Sequence, residues 1–225
     1  FYGGSSRPTW SPDGREVVFE FGRDILAVDI ELAQWRIVAS LPCSAQNPAW
    51  SPDGAWIAFT CTDVVSEDLW VMGPQGQQLR RLTNDAALDR HPAWSPDSQS
   101  IAFASNRGGD DDIWLVPLQG GEPTRLTQGP FNDTWPSWSP DGRFLAFTSD
   151  RGTSLDVWVL PMGRTDPVRI TNDGSATGPA WSPNGAWIAF RTGFRDCTDV
   201  IQVIPVPRII AVEPVDWSTV KRLYR

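Results

Sequence analysis

Large apolar and small residues alternate in four short runs of one spelling: Ile57-Ala58-Phe59, Ile101-Ala102-Phe103, Leu145-Ala146-Phe147 and Ile188-Ala189-Phe190. Period two belongs to a β-strand, whose successive side chains point to opposite faces. Ile or Leu and Phe are expected on one face and Ala on the other, where a small side chain lets a neighbouring sheet approach closely. Ahead of these runs, and once near the start of the chain, stands the phrase Trp-Ser-Pro-Asp-Gly. It begins at Trp10, Trp50, Trp94, Trp138 and Trp181, with Ser98 replacing Gly and Asn184 replacing Asp. Pro presets the first corner of a type I turn, Asp suits the second, and Gly accepts the left-handed conformation that follows, so the phrase predicts a hairpin with a glycine bulge.

A third strand is predicted to open at Asp24, Asp68, Asp112, Asp156 and Asp199, continuing for instance as Ile113-Trp114-Leu115-Val116. A fourth follows a Gly/Pro-rich turn as Leu79 to Thr83, Pro123 to Thr127 and Pro167 to Thr171. Arg81, Arg125 and Arg169 fall in register there and are expected to face solvent on the outer edge, where charge discourages stray pairing.

Subtracting the positions of the repeated Trp gives spacings of 40, 44, 44 and 43 residues. A period of about 40 to 45 residues with four short strands per unit is the signature of a β-propeller. The expected fold is therefore all-β, one domain of tandem four-stranded antiparallel blades, with five complete repeats near 7–40, 47–84, 91–128, 135–172 and 178–212. That makes a five-bladed ring, or part of a six-bladed one; residues 213–225 are a closing strand or the start of a further blade, since Pro214-Val215-Asp216-Trp217-Ser218 imitates an inner strand.

Thirteen Trp in 225 residues fit this fold, because wide gaps between facing sheets need large rings. Trp10, Trp50, Trp94, Trp138 and Trp181 are all expected in the core. A net charge of −8, with its positive residues spread out, argues against a nucleic-acid groove. No apolar stretch approaches the ~18 residues of a membrane-spanning helix. The chain opens at Phe1 without Met, as expected of a processed product, a fragment or part of a longer chain. Pairing with Ala49 opposite Ile57 brings Cys43 and Cys61 nearly face to face, leaving a disulfide and two free thiols both open; Cys197 has no evident partner. The disulfide reading favours a periplasmic or extracellular location.

The repeats resemble the TolB-type propeller repeat: Pro-x-Trp-Ser-Pro-Asp-Gly, an Ile-Ala-Phe strand, Ser-Asp-Arg-Gly, an Asp-Ile-Trp-Val strand and Arg-Leu-Thr. His91 to Asp97, Ser105 to Gly108, Asp112 to Leu115 and Arg125 to Thr127 carry it, and so do Trp135 to Gly142, Ser149 to Gly152, Asp156 to Val159 and Arg169 to Thr171. The resemblance implies a binder, either a periplasmic component of the Tol-Pal system that holds protein partners or the substrate-gating propeller of a prolyl-oligopeptidase-like enzyme. It places no catalytic group on the repeats, and no cofactor is expected.

Chemistry-bearing motifs are sparse. There is no G-x-S-x-G elbow, and the single histidine, His91, stands at the entrance of an inner strand, where a structural role is the better reading. Asp110-Asp111-Asp112 lacks calcium-loop spacing and reads as a solvated acidic loop. Asn132-Asp133-Thr134 matches a glycosylation acceptor, relevant only to a eukaryotic secretory pathway.

The repeats disagree most in the connections from each fourth strand to the next inner strand: Gly3 to Arg7, Cys43 to Asn47, Asn84 to His91, Gln128 to Trp135 and Asn172 to Thr177. In a propeller these loops meet at one mouth of the channel and form a composite surface. Arg7, Gln46, Asn47, Asp89, Arg90, His91, Phe131, Asn132, Asp133 and Trp135 are the candidate contacts for a protein or peptide partner. The alternative for the aromatic residues is that they plug the channel. A competing enzymatic reading puts Asp89, Asp133 and Asp173 at the channel as sugar or metal ligands, where glycosidic chemistry needs carboxyl pairs at about 5 to 9.5 Å.

Overall fold

The computed structural model describes residues 7–64, 66–152, 154–193 and 200–206. They form five antiparallel sheets in chain order. The first comprises β1 (Thr9–Trp10), β2 (Glu16–Phe21), β3 (Asp24–Asp29) and β4 (Gln34–Ser40); the second β5 (Ser44–Trp50), β6 (Ile57–Thr62), β7 (Glu67–Met72) and β8 (Arg80–Arg81). The third comprises β9 (Asp89–Trp94), β10 (Ser100–Ser105), β11 (Asp112–Pro117) and β12 (Thr124–Arg125); the fourth β13 (Asp133–Trp138), β14 (Phe144–Ser149), β15 (Asp156–Pro161) and β16 (Val168–Arg169). Three described strands make the fifth: β17 (Thr177–Trp181), β18 (Trp187–Thr192) and β19 (Val200–Pro205). Together they are a five-bladed β-propeller. The expected closing segment, 213–225, lies outside the described residues.

Period two sorts the core as the alternation predicts. Ile57 and Phe59 pack on Val18, Ile25 and Ala27 of the first blade, while Ala58, between them, packs on Ile101 and Phe103 of the third. The large face of each blade thus meets the small face of the blade before it, and all of these residues are fully buried.

The turns hold as expected. Ser51 Oγ donates to Asp53 Oδ1 at 2.6 Å and accepts the Trp56 amide at 2.9 Å, and the other repeats copy this, Asn184 included. Ser98 takes the left-handed place of the glycines at φ 59°. Its hydroxyl accepts the Asp53 amide of the preceding blade at 3.1 Å, so a backbone cost of about 1 kcal/mol comes with an inter-blade hydrogen bond.

The repeated tryptophans split. Trp94 and Trp138 are buried, and the indoles of Trp94, Trp138 and Trp181 donate to Ala49 O, Ala93 O and Ser137 O of the preceding inner strand at 3.0, 3.2 and 3.1 Å. Trp50 is half-buried, and its indole nitrogen finds no acceptor among the described residues. Trp10 corrects the expectation outright: it is 58% exposed, and no inner strand among the described residues covers its ring. Ile201 and Val203 on β19 are exposed as well, so the first and fifth blades are the least covered.

Two further expectations are corrected. Arg81, Arg125 and Arg169 are not edge charges but fold back onto the buried Asp68, Asp112 and Asp156 that open each third strand. Each guanidinium also donates to the carbonyl of the Thr two residues on, whose hydroxyl accepts a third-strand amide. Arg-Leu-Thr is thus a clamp between third and fourth strands, and Asp112 belongs to it rather than to a solvated loop. The Cys43–Cys61 disulfide is present, with Cα atoms 5.6 Å apart. Its register differs from expectation, however: Trp50, not Ala49, faces Ile57, and a bulge between Gln46 and Ala49 shifts the rest of the strand.

Candidate functional site

That bulge recurs and builds the channel wall. The inner strands β9, β13 and β17 break register at the corresponding place. In the four bulges the unpaired residues are Asn47-Pro48, His91-Pro92, Trp135-Pro136 and Gly178-Pro179. Proline suits a bulge because it has no N–H to leave unsatisfied. The residue before it takes a left-handed φ, 51° at Asn47, 55° at His91, 56° at Trp135 and 60° at Gly178. For the three with side chains this costs about 1 kcal/mol each, and strained backbone tends to collect at functional sites. Arg7-Pro8 is the same pair in the first blade.

Three of these five equivalent positions meet. The Trp135 ring stacks on His91, centroids 3.3 Å apart, and the Arg7 guanidinium lies over Trp135 at 3.4 Å. Blades one, three and four thus touch through these side chains. Burial first, then the positive Arg7 and Arg90, push the His91 pKa down to about 3, so the stacked imidazole is neutral at physiological pH. Its Nδ1 has no hydrogen-bond partner among the described residues.

The other candidates stand further out or deeper in. Arg90 reaches across to Glu67 of the second blade, and Gln46 donates to Thr62 Oγ1 at 3.4 Å. Asn132 is exposed and held twice by Asp150, at 2.8 and 2.9 Å, while Phe131 lies under Arg151, 5.0 Å away. Asp89 and Asp133 present no carboxylate to a ligand: both are fully buried, Asp89 paired with Arg107 at 2.7 Å and Asp133 with Arg151. Asp173 is exposed on its turn. Among the described residues no three His, Cys, Asp or Glu side chains are grouped to hold a metal ion.

The residue after the Phe of each second strand also belongs here, and sequence reasoning passed over it. It is Glu20, Thr60, Ala104, Thr148 and Arg191 in the five blades, a variable position within otherwise uniform strands. Glu20 Oε1 accepts the Arg7 amide at 3.3 Å and Oε2 has no partner among the described residues; burial raises this carboxyl's pKa. Burial, then Arg191, lower the Arg7 pKa to about 10 against the opposing pull of Glu20.

This arrangement of blades has known counterparts. The TolB beta propeller domain matches residues 4–123 and again 92–203. The chain belongs to the TolB β-propeller family. A protein of Agrobacterium tumefaciens described as TolB superposes with a TM-score of 0.80 at 24% identity, over 89% of this chain and 76% of that one. TolB from Acinetobacter baumannii gives 0.76 at 22%, over 88% and 51%. A puromycin-hydrolyzing peptidase of Mycobacterium tuberculosis gives 0.71 at 18%, over 88% and 36%. At these identities the likeness is one of fold, which is shared by TolB proteins and a peptidase alike. No curated protein matches the sequence.

Proposed function

We propose that this TolB-family propeller is a non-catalytic binding module that holds a protein or peptide partner at the channel mouth. The observation that carries the reading is the meeting of Arg7, His91 and Trp135 from three blades. Backbone strain turns His91 and Trp135 inward, and the side chains at the five equivalent positions before proline differ while the surrounding strands repeat. Arg90, Phe131 and Asn132 extend this surface outward, combining aromatic and arginine anchors of the kind that dominate interfaces. The disulfide supports an oxidising compartment, periplasmic or extracellular, as the place of work.

The test is a crosslinking pull-down from native envelope extract with the wild-type chain and with Arg90, Phe131 and Trp135 all replaced by Ala. The partner recovered with wild type is expected to be lost with the triple variant. Unchanged recovery with an intact circular dichroism spectrum and melting temperature would remove the channel mouth from the account.

A further inference from the structure

We propose that the cleft between the first and second blades, at the end of the ring opposite the mouth, docks an arginine side chain of a protein partner. This surface is separate from the channel mouth, and its own shape and charge select the occupant.

The cleft lies where the inner strands β1 and β5 run out into their Ser-Pro-Asp-Gly turns. Its volume is about 490 Å³, within the ~300 to 1,000 Å³ of small-ligand sites. Pro12, Pro74 and the half-buried Trp50 ring supply its apolar surface. The walls are fixed in place. Arg36 Nη2 donates to both oxygens of Glu16 at 2.9 Å and to Pro74 O at 3.1 Å, which ties the fourth strand of the first blade to a turn of the second. At the next three joints the indole of the later blade is bonded to the preceding inner strand, but the Trp50 indole makes no such bond and its ring stays beside the cleft.

The charge of the cleft is not a general property of the repeats. Glu16 and Asp29 face each other across β2 and β3. The corresponding pairs are Trp56 and Gly73, Ser100 and Pro117, Phe144 and Pro161, and Trp187 and Pro205. Like charges directly opposite are unfavourable. Arg36 neutralises Glu16, whereas Asp29 has no cationic partner among the described residues and gives only Oδ1, to the Leu32 amide at 2.8 Å. Asp13 and Asp53 complete the lining from adjoining turns. Each uses Oδ1 within its turn, for Ser11 and the Arg15 amide or for Ser51 and the Ala55 amide, and keeps Oδ2 for other contacts. Arg15 approaches Asp13 Oδ2 only to 3.8 Å in an exposed pair, an interaction of little worth.

A guanidinium answers each part of this arrangement. Its aliphatic stem suits the prolines, its plane stacks on an indole, and its N–H fork takes carboxylate oxygens in pairs. An ammonium has neither plane nor fork, and the carboxylates are not grouped closely enough to hold a metal ion. The net charge of −8 draws basic segments toward the chain as a whole, and the cleft gives one of them a place to lodge.

The experiment is isothermal titration calorimetry of the full chain with three acetylated, amidated tripeptides: triarginine, trilysine and tricitrulline, the last an uncharged isostere of the first. Triarginine is expected to bind at least about tenfold more tightly than tricitrulline, the worth of one charge-assisted pair, and more tightly than trilysine. Asp29→Asn with Asp53→Asn should lower its affinity about tenfold. Asn keeps the Oδ1 that each turn needs, as Asn184 does in the fifth blade, so this variant removes charge and leaves the fold. Glu122→Gln with Asp166→Asn removes the same charge from exposed connections of the third and fourth blades and should leave the affinity unchanged. Equal binding of triarginine and tricitrulline, trilysine as tight as triarginine, unchanged affinity in the Asp29/Asp53 variant, or an equal drop in the Glu122/Asp166 variant would each overturn the proposal. So would loss of triarginine binding in the Arg90/Phe131/Trp135 variant, which would put the peptide at the mouth. Retention of triarginine by that variant as it loses the native partner is the expected result, with two independent surfaces.

Discussion

Asp112 and Asp156 open the third strands of adjacent blades and both are buried beneath an arginine, yet they should respond unequally to replacement by Asn. Asp156 Oδ1 accepts from Thr171 Oγ1 at 2.9 Å, the Asp173 amide at 3.0 Å and the Gly174 amide at 3.4 Å, while Oδ2 takes Ser154 and Arg169. Asp112 gives Oδ2 to Arg125, and its Oδ1 has no partner among the described residues. Burial raises the pKa of both; at Asp156 the Thr171 and Arg169 bonds outweigh it and the net shift is downward, whereas at Asp112 burial wins over Arg125 and the net shift is upward. Asn is a fair copy of a protonated carboxyl and a poor copy of an ionised one. A bond to a charged group exceeds a neutral one by about 1 kcal/mol. Its three shorter bonds, from Thr171 Oγ1, the Asp173 amide and Arg169, make Asp156→Asn cost roughly 3 kcal/mol, against roughly 1 kcal/mol for Asp112→Asn with its single bond. Both arginines keep enough contact with water to limit the penalty of being left alone.

Urea unfolding at pH 7, followed by circular dichroism, measures this directly. A gap of about 2 kcal/mol corresponds to midpoints about 1 M apart for a slope near 2 kcal/mol per M. The pH dependence supplies a second check. A depressed carboxylate pKa contributes stability that is fully present above the unfolded value, near 3.9, and is lost as pH falls through the folded value. The cost of Asp156→Asn should therefore shrink toward pH 3 and below. A raised pKa works the other way, so Asp112 relieves the fold as pH falls through its folded value toward the unfolded one. Equal costs at pH 7, a larger cost for Asp112→Asn, or a pH-independent cost for Asp156→Asn would refute the reasoning.

Trp138→Ala should destabilise by roughly 3 to 5 kcal/mol, as for other large buried rings, and Trp10→Ala by less than about 1 kcal/mol, as for exposed sites; comparable losses in thermal melts would show that the first blade is covered in solution. With one disulfide among three cysteines, unfolded, unreduced protein should titrate one thiol by Ellman's reagent, and Cys43→Ser with Cys61→Ser should cost about 3 kcal/mol from the freed loop. Ser98→Gly should be nearly neutral in urea unfolding, because the backbone relief of about 1 kcal/mol is offset by losing the bond to Asp53; a clear gain would mean that this inter-blade bond contributes little.

What could be read from the chain was local. Alternation at Ile57-Ala58-Phe59 and the turn chemistry of Ser51 to Gly54 depend on neighbours a few residues away, and both appear as expected. The Asp–Arg clamps were half visible. Asp68 and Arg81, Asp112 and Arg125, Asp156 and Arg169 recur at one 13-residue offset, but seeing them as partners needs the register of the hairpin between them. The same holds for Asp89 with Arg107 and Asp133 with Arg151, both 18 apart. Their burial turned two supposed surface carboxylates into scaffold. The inward-turned His91 and Trp135 were not legible as such, since a residue before proline is ordinarily extended; the bulge that overrides this comes from strand pairing. Trp10 shows the opposite limit, for its motif is spelled like the others and its exposure depends on a neighbour that sequence spacing does not describe.

The central claim is that equivalent inner-strand positions, each preceding a proline, in blades far apart in the chain converge on one channel. Nitroxide labels at Arg7→Cys and Trp135→Cys, in a Cys197→Ser background, test it through the distance read by double electron–electron resonance. Convergence predicts a distribution centred below about 20 Å after allowing for the label arms. Blades stacked in a line at about 10 Å per sheet would place these positions about 30 Å apart or more, and that result would contradict the account.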